Sequence, residues 1–203
     1  GAVSLLLHGH CEQTAQHGGR PRYNVIDAYA CQMAIRFPEA AEIPGSREQT
    51  MSGRGWHTDG VDKNDFGPFS LLCGVALSDQ PEDYSGNLCV YPGSHYALQS
   101  SSQQFAGAVL QAQETNGLPP LGSFHPSTLA HMAHDAGSPV QAKLRVGDVV
   151  LLHQKTAHKG SPNLYHETRR MAYFRLSHRD HEQLKVRAVA DLWLEFEGMA
   201  DVL

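Results

Sequence analysis

The chain has 203 residues, 41% of them hydrophobic, which is enough for one core and one domain. Its formal charge of -5, with histidine neutral, argues against a nucleic-acid backbone as partner. No run of about eighteen apolar residues occurs, so no membrane span is expected.

Residues 1–24 are polar and rich in His, Gln and Gly, with no periodic pattern. Residues 3–7 are apolar, but too short and without the basic flank of a signal peptide. The first residue is Gly, so the natural start is expected upstream. Residues 29–37 alternate: Tyr29, Cys31, Met33, Ile35 and Phe37 face one way, and Ala30, Gln32, Ala34 and Arg36 the other. That period predicts a strand, ended by Pro38. Residues 38–55 read as a loop. Residues 69–77 form a nearly continuous apolar run, the mark of a buried strand, and residues 87–91 form another, closed by the turn Pro92-Gly93.

Between residues 96 and 139 the pattern changes. Ser and Gln cluster at 99–104, and Pro and Gly at 117–122. Ser127 is placed to cap a short helix with Leu129, Met132, Ala133 and Ala136 as its apolar stripe and Gly137 as its stop. A connection this long in a compact domain reads as a lid-like insertion over residues 96–139. Strands resume with Val140, Ala142, Leu144 and Val146 alternating. Gly147-Asp148 then turns the chain into a strand at 149–152, Asp148 shaping the turn. Residues 171–176 form a further strand. Val189, Leu192, Trp193 and Phe196 give a helical stripe that Gly198 stops. Many short strands separated by turns, with few helices, predict an all-β sandwich or barrel. Four cysteines, Cys11, Cys31, Cys73 and Cys89, show no zinc-type pairing. The last three lie in apolar runs and read as buried free thiols in a reducing compartment, which points to an intracellular, cytoplasmic protein.

His57-Thr58-Asp59 carries the chemistry. A His and an Asp two apart on a strand point the same way. With a distant His they make two imidazoles and a carboxylate, a set that can hold one face of a metal ion and leave the other open. His158, after the apolar strand and before the loop Lys159-Gly160-Ser161-Pro162, is a candidate for the third ligand or a turn residue, with His153 on the same strand as its nearest rival. Thirteen histidines make chance pairs expected. His10-x-Glu12 lies in the patternless terminal segment. His131, His134 and Asp135 fall opposite a helical apolar stripe, and His178, Asp180 and His181 sit between elements. The last two clusters are read as solvated groups.

The ordered pieces Trp56-His57-Thr58-Asp59-Gly60, Gly86-Asn87-Leu88-Cys89-Val90-Tyr91-Pro92-Gly93-Ser94-His95, Gly147-Asp148-Val149-Val150-Leu151-Leu152-His153, and His158 followed by Arg169 resemble the phytanoyl-CoA hydroxylase-like branch of Fe(II)/2-oxoglutarate dioxygenases. The resemblance implies a double-stranded β-helix, or jelly roll, with a few flanking helices, and His57, Asp59 and His158 as the iron ligands and catalytic centre. It implies that Arg169, eleven positions past His158, clamps the distal carboxylate of 2-oxoglutarate, as a planar fork suits a carboxylate. Arg170 is the alternative if the register slips by one. Arg175 shares the face of Arg169 but lies beyond reach of the cosubstrate. Gln32 is placed on the site-lining strand as a contact to cosubstrate or substrate, and Trp56 as a pocket wall or a core residue. His95 belongs to a turn. The cofactors implied are Fe(II), 2-oxoglutarate and O2, with ascorbate as an aid.

The expected activity is hydroxylation of a small molecule or amino-acid-like substrate, coupled to oxidation of 2-oxoglutarate to succinate and CO2. The competing classes are a non-catalytic metal-binding jelly-roll sensor or scaffold, and a zinc hydrolase built on the same ligands. A carboxylate clamp at Arg169 has no obvious use in either.

Overall fold

The computed structural model describes residues 31–39, 47, 55–59, 61–62, 65–66, 69–99, 107, 111, 114, 137–178 and 180–196. Strands β1 (Cys31–Arg36), β4 (Leu71–Ala76), β7 (Val149–His153) and β9 (Arg169–Leu176) form the larger sheet, in the order β1-β9-β4-β7. Strands β5 (Leu88–Val90), β6 (Val140–Gln141) and β8 (His158–Gly160) form a second sheet, in the order β6-β5-β8. A short ribbon pairs β2 (Val61–Asp62) with β3 (Asp65–Phe66). All these pairings are antiparallel. Two helices are short: α1 (Ser94–Ala97) and α2 (His181–Ala190). The β-rich, helix-poor expectation therefore holds among the described residues.

Register fixes which side chains share a face. Ala34 pairs with Met171, which pairs with Ala76; Gln32 pairs with Tyr173, which pairs with Gly74. On this inner face Leu72, Ala76, Met171 and Tyr173 pack with Phe69 and Leu144 into one apolar cluster. A second cluster joins Trp56, Cys89, Tyr91, Leu98 and Ala157 beside the smaller sheet. A third packs Leu71 and Leu176, from the opposite face of the larger sheet, against Phe196.

The strand expected at 29–37 is seen as β1, with its apolar side open: Met33 is 51% exposed, Ile35 50%, and Phe37 beyond it 73%. The opposite side, with Gln32 and Arg36, faces a cavity. Cys31 shares the open side and is exposed, which corrects its reading as a buried thiol. Cys73 is half-buried, Cys89 is buried, and all three are free thiols.

The helical stripe through Val189, Leu192, Trp193 and Phe196 is also corrected. Helix α2 starts earlier, at His181, and ends at Ala190; residues 192–195 are turns. The break has two causes. Asp191 is extended (φ -111, ψ 110) and its side chain accepts from the Trp193 N–H at 3.1 Å. The carbonyls of Ala188 and Val189 are taken by the buried Lys155 Nζ. His178 and His181, expected to be solvated, are buried. His181 is 2.5 Å from Glu195 Oε1 and 3.4 Å from Ser70 Oγ through the same Nδ1, so it anchors α2 to the sheet.

Most of residues 96–139, including the helix expected from Ser127, lies outside the described residues, as do His10, Glu12, His131, His134 and Asp135. Among the described residues no helix is long and apolar enough to cross a membrane.

Candidate metal centre and its cavity

A cavity of about 530 Å³ lies between the two sheets. Its walls come from β1, β9 and Leu72 on one side and from Leu88 and β8 on the other. That volume suits a small-molecule ligand.

His57, Asp59 and His158 meet on this cavity, with a ligand atom from each lying within 4.8 Å of the others. Backbone pairing brings them together. The His57 N–H donates to the His158 carbonyl at 3.1 Å, and the His158 N–H donates back at 2.9 Å. The Asp59 N–H is tethered to the Gln154 carbonyl at 3.0 Å. Each imidazole lies within hydrogen-bond reach of a carbonyl through Nδ1: His57 to Gly55 at 3.0 Å and His158 to Thr156 at 2.9 Å. This leaves Nε2 of both rings free to ligate, the usual way a protein fixes the tautomer of a metal-binding histidine. His57 Nε2 is 3.8 Å from Asp59 Oδ1, and His158 Nε2 is 3.6 Å from Asp59 Oδ2. Adjacent ligands of an ion bound at about 2.1 Å stand about 3 Å apart, so closing on an ion needs only a slight approach. Burial, together with the His57 ring, holds His158 below the usual imidazole range, against the pull of Asp59. A neutral ring is the form that ligates. The donor set therefore fits a divalent ion.

Arg169 also lines the cavity and is only 3% exposed. Its Nη1 donates to the Ala34 carbonyl at 3.2 Å and its Nη2 to the Tyr173 hydroxyl at 2.9 Å. The buried Nε finds no acceptor among the described residues. Burial lowers the affinity of Arg169 for its proton, yet a guanidinium stays charged at any working pH. A guanidinium that is charged and largely taken out of water is chemically suited to meet an anion. Gly86 makes room for it: its φ of +72° suits glycine, and a Cβ there would stand 3.0 Å from Arg169 Cβ. Gly74 does the same for Tyr173, whose ring would stand 2.8 Å from an added Cβ. Arg170 points to the other face and is exposed.

The remaining candidates separate cleanly. His153, the rival ligand, lies on the opposite face of the larger sheet with both ring nitrogens engaged. Its Nδ1 accepts from the Lys155 N–H at 3.1 Å, and its Nε2 donates to the Leu192 carbonyl at 2.9 Å. His95 stacks on His153 and meets Trp193 edge-on, away from the cavity. Trp56 is a core residue, 4.3 Å from the Tyr91 ring. Asp148 Oδ2 accepts from the Arg145 N–H at 2.8 Å, as its turn requires. Gln32 lines the cavity and accepts from Arg175 Nη2 at 3.1 Å. Tyr173 and Arg36, which the sequence did not single out, also line it. The signal for Tyr173 was its even spacing from Arg169 on a strand.

The Phytanoyl-CoA dioxygenase (PhyH) model matches residues 32–171. No curated protein matches the chain. Similar solved structures include EctD from S. alaskensis with 2-oxoglutarate and 5-hydroxyectoine, at 19% identity and a TM-score of 0.45, covering 72% of this chain and 42% of that one. The non-heme alpha ketoglutarate dependent carbocyclase SnoK from nogalamycin biosynthesis is 20% identical with a TM-score of 0.43, covering 72% of this chain and 48% of that one. EvdMO1 is 19% identical with a TM-score of 0.44, covering 73% and 26%. This chain therefore spans less than half the length of each of these structures. The matched stretch includes His57, Asp59, His158 and Arg169, and with more than half of the sequence accounted for the chain belongs to the phytanoyl-CoA dioxygenase family of Fe(II)- and 2-oxoglutarate-dependent oxygenases.

Proposed function

We propose that this chain carries the catalytic site of an Fe(II)- and 2-oxoglutarate-dependent dioxygenase that hydroxylates a small molecule. His57, Asp59 and His158 hold the iron, and Arg169 receives the distal carboxylate of 2-oxoglutarate. In this reading the two antiparallel sheets are the walls of a jelly roll. One observation carries the proposal: a His-Asp-His cluster and a buried arginine with an unused donor line one cavity. Bound Fe(II) supplies the redox chemistry that couples O2 reduction to decarboxylation of 2-oxoglutarate, giving succinate and CO2. The chain's own residues position and desolvate. The backbone carbonyls of Gly55 and Thr156 aim the two imidazoles, Tyr173 orients the Arg169 fork, and the apolar cluster around Phe69 and Met171 keeps water from the deep end. A sensor or a hydrolase has no use for a buried carboxylate receptor.

Equilibrium binding of 2-oxoglutarate to the Mn(II)-loaded protein tests this. Arg169→Ala is expected to weaken binding by on the order of 2–5 kcal/mol while leaving metal content intact. Arg170→Ala is expected to leave it unchanged, and Asp59→Ala to abolish metal-dependent binding. Loss of binding in Arg170→Ala but not in Arg169→Ala would overturn the assignment. Succinate release with Fe(II) and ascorbate, absent in Asp59→Ala, is the matching activity readout.

A further inference from the structure

Resting on that reading, we propose that the substrate carries a carboxylate, and that Arg175 with Gln32 receives it at the metal end of the cavity. Three guanidinium groups, Arg36, Arg169 and Arg175, and the Lys159 ammonium line the cavity, and among the described residues the one carboxylate that lines it is Asp59. Among the described residues none of the three forms a salt bridge. A divalent ion and a dianionic cosubstrate cancel each other, so the cavity stays positive when both are bound. An uncompensated positive cavity is matched by a further anion.

Position along β9 divides the labour. Arg36 and Arg169 are direct cross-strand partners at one end, where the Arg36 guanidinium also packs against Gly160. Two like charges placed opposite each other are unfavourable unless an anion lies between them, so this end suits the distal carboxylate of the cosubstrate. Arg175 stands six residues further on, roughly 20 Å of strand, with Tyr173 between it and Arg169 on the same face. The Arg169 fork is held by the Ala34 carbonyl and the Tyr173 hydroxyl and the Arg175 fork by Gln32, so the two are fixed on different partners.

The Arg175 end is the metal end. Leu176 and His153 both pair with Leu71, and the next residue, Gln154, supplies the carbonyl that tethers Asp59. Arg175 is half-buried and preorganised there. Its guanidinium carbon lies 5.6 Å from the Phe69 ring centroid, and its Nη2 is held by Gln32 Oε1. That bond turns one edge of the fork to Gln32 and leaves the other edge, together with the Gln32 amide donors, to meet a planar two-oxygen acceptor.

The probes are cyclohexanecarboxylate, its carboxamide and cyclohexyl phosphate, added to protein loaded with Mn(II) and N-oxalylglycine. The readout is manganese-dependent broadening of the probe proton signals, with Zn(II)-loaded protein as the diamagnetic reference. The carboxylate is expected to respond roughly tenfold more strongly than the carboxamide, a difference that a charged hydrogen-bonded pair readily supplies. Arg175→Met is expected to erase that preference while changing N-oxalylglycine affinity less than about threefold, and Arg175→Lys to retain part of it. Equal broadening by carboxylate and carboxamide, or a preference that survives in Arg175→Met, overturns the proposal. A stronger response to the phosphate overturns the carboxylate as the recognised group. If N-oxalylglycine does not bind the Mn(II) protein at all, the oxygenase reading falls and this inference with it. If it binds and the probes do not discriminate, this inference alone falls.

Discussion

His153 shows how one residue type divides between chemistry and structure. It sits five positions before His158, yet both its nitrogens are spent, on Leu192 and Lys155, while His158 spends only Nδ1, on the Thr156 carbonyl, and keeps Nε2 for a ligand. Burial pushes the His153 imidazole down to about 3. The unfolded chain therefore takes up this proton near the ordinary value of about 6.5, while the folded chain resists it until about pH 3. Stability should fall as pH drops through that window, by up to on the order of 4 kcal/mol from this one group. His153→Phe should lose less on acidification, measured as urea midpoints from pH 7 to 3, while starting lower at pH 7 because two backbone groups lose their partner. Identical pH slopes in the two proteins would refute this. The sequence showed the His57 and Asp59 pair at this scale because period-two spacing is a local property. Whether His153 or His158 turned inward depended on the strand's end and on Leu192, which is distant in sequence.

At the level of elements, the strands were the legible part. Runs of aliphatic residues bounded by Gly and Pro mark β4, β5 and β7 within a residue or two; in β4 and β5 burial on both faces leaves a continuous apolar signature, whereas β7 keeps its aliphatic run although Val149 and Leu151 are exposed. Helix α2 was misplaced because its stop is made by the distant Lys155, which no local pattern announces. Burial lowers the Lys155 ammonium to about 8, against the pull of Asp191 and Glu195, so at neutral pH it still caps the helix as a cation. Lys155→Met should lower the urea stability by about 1–3 kcal/mol, as the Ala188 and Val189 carbonyls lose their donor. Amide exchange should quicken toward the end of α2 while the strands stay protected. An unchanged midpoint with unchanged exchange would show that the cap is dispensable.

For the molecule as a whole, net charge was a poor guide to the site. A chain with a formal charge of -5 encloses a cavity lined by three arginines, because a sum over residues does not say where charge is placed. The sequence placed Arg169 and Arg175 on one face by parity alone. It could not bring Arg36 opposite Arg169, since that needs the register between strands far apart in the chain. The reciprocal bonds between His57 and His158 have a consequence for how the protein is loaded with metal. In the proposed reading two of the three ligands are splinted by the backbone itself, so an ion should have little left to organise. Filling and emptying should then be ligand exchange at a standing site, with no folding step in the kinetics. The His57 and His158 amides should be protected from hydrogen exchange to a similar degree with and without metal. The melting temperature should rise with free metal only as saturation of one site demands, following RT ln(1 + [M]/Kd). Amides that exchange freely until metal is added would mean that the ion builds the site.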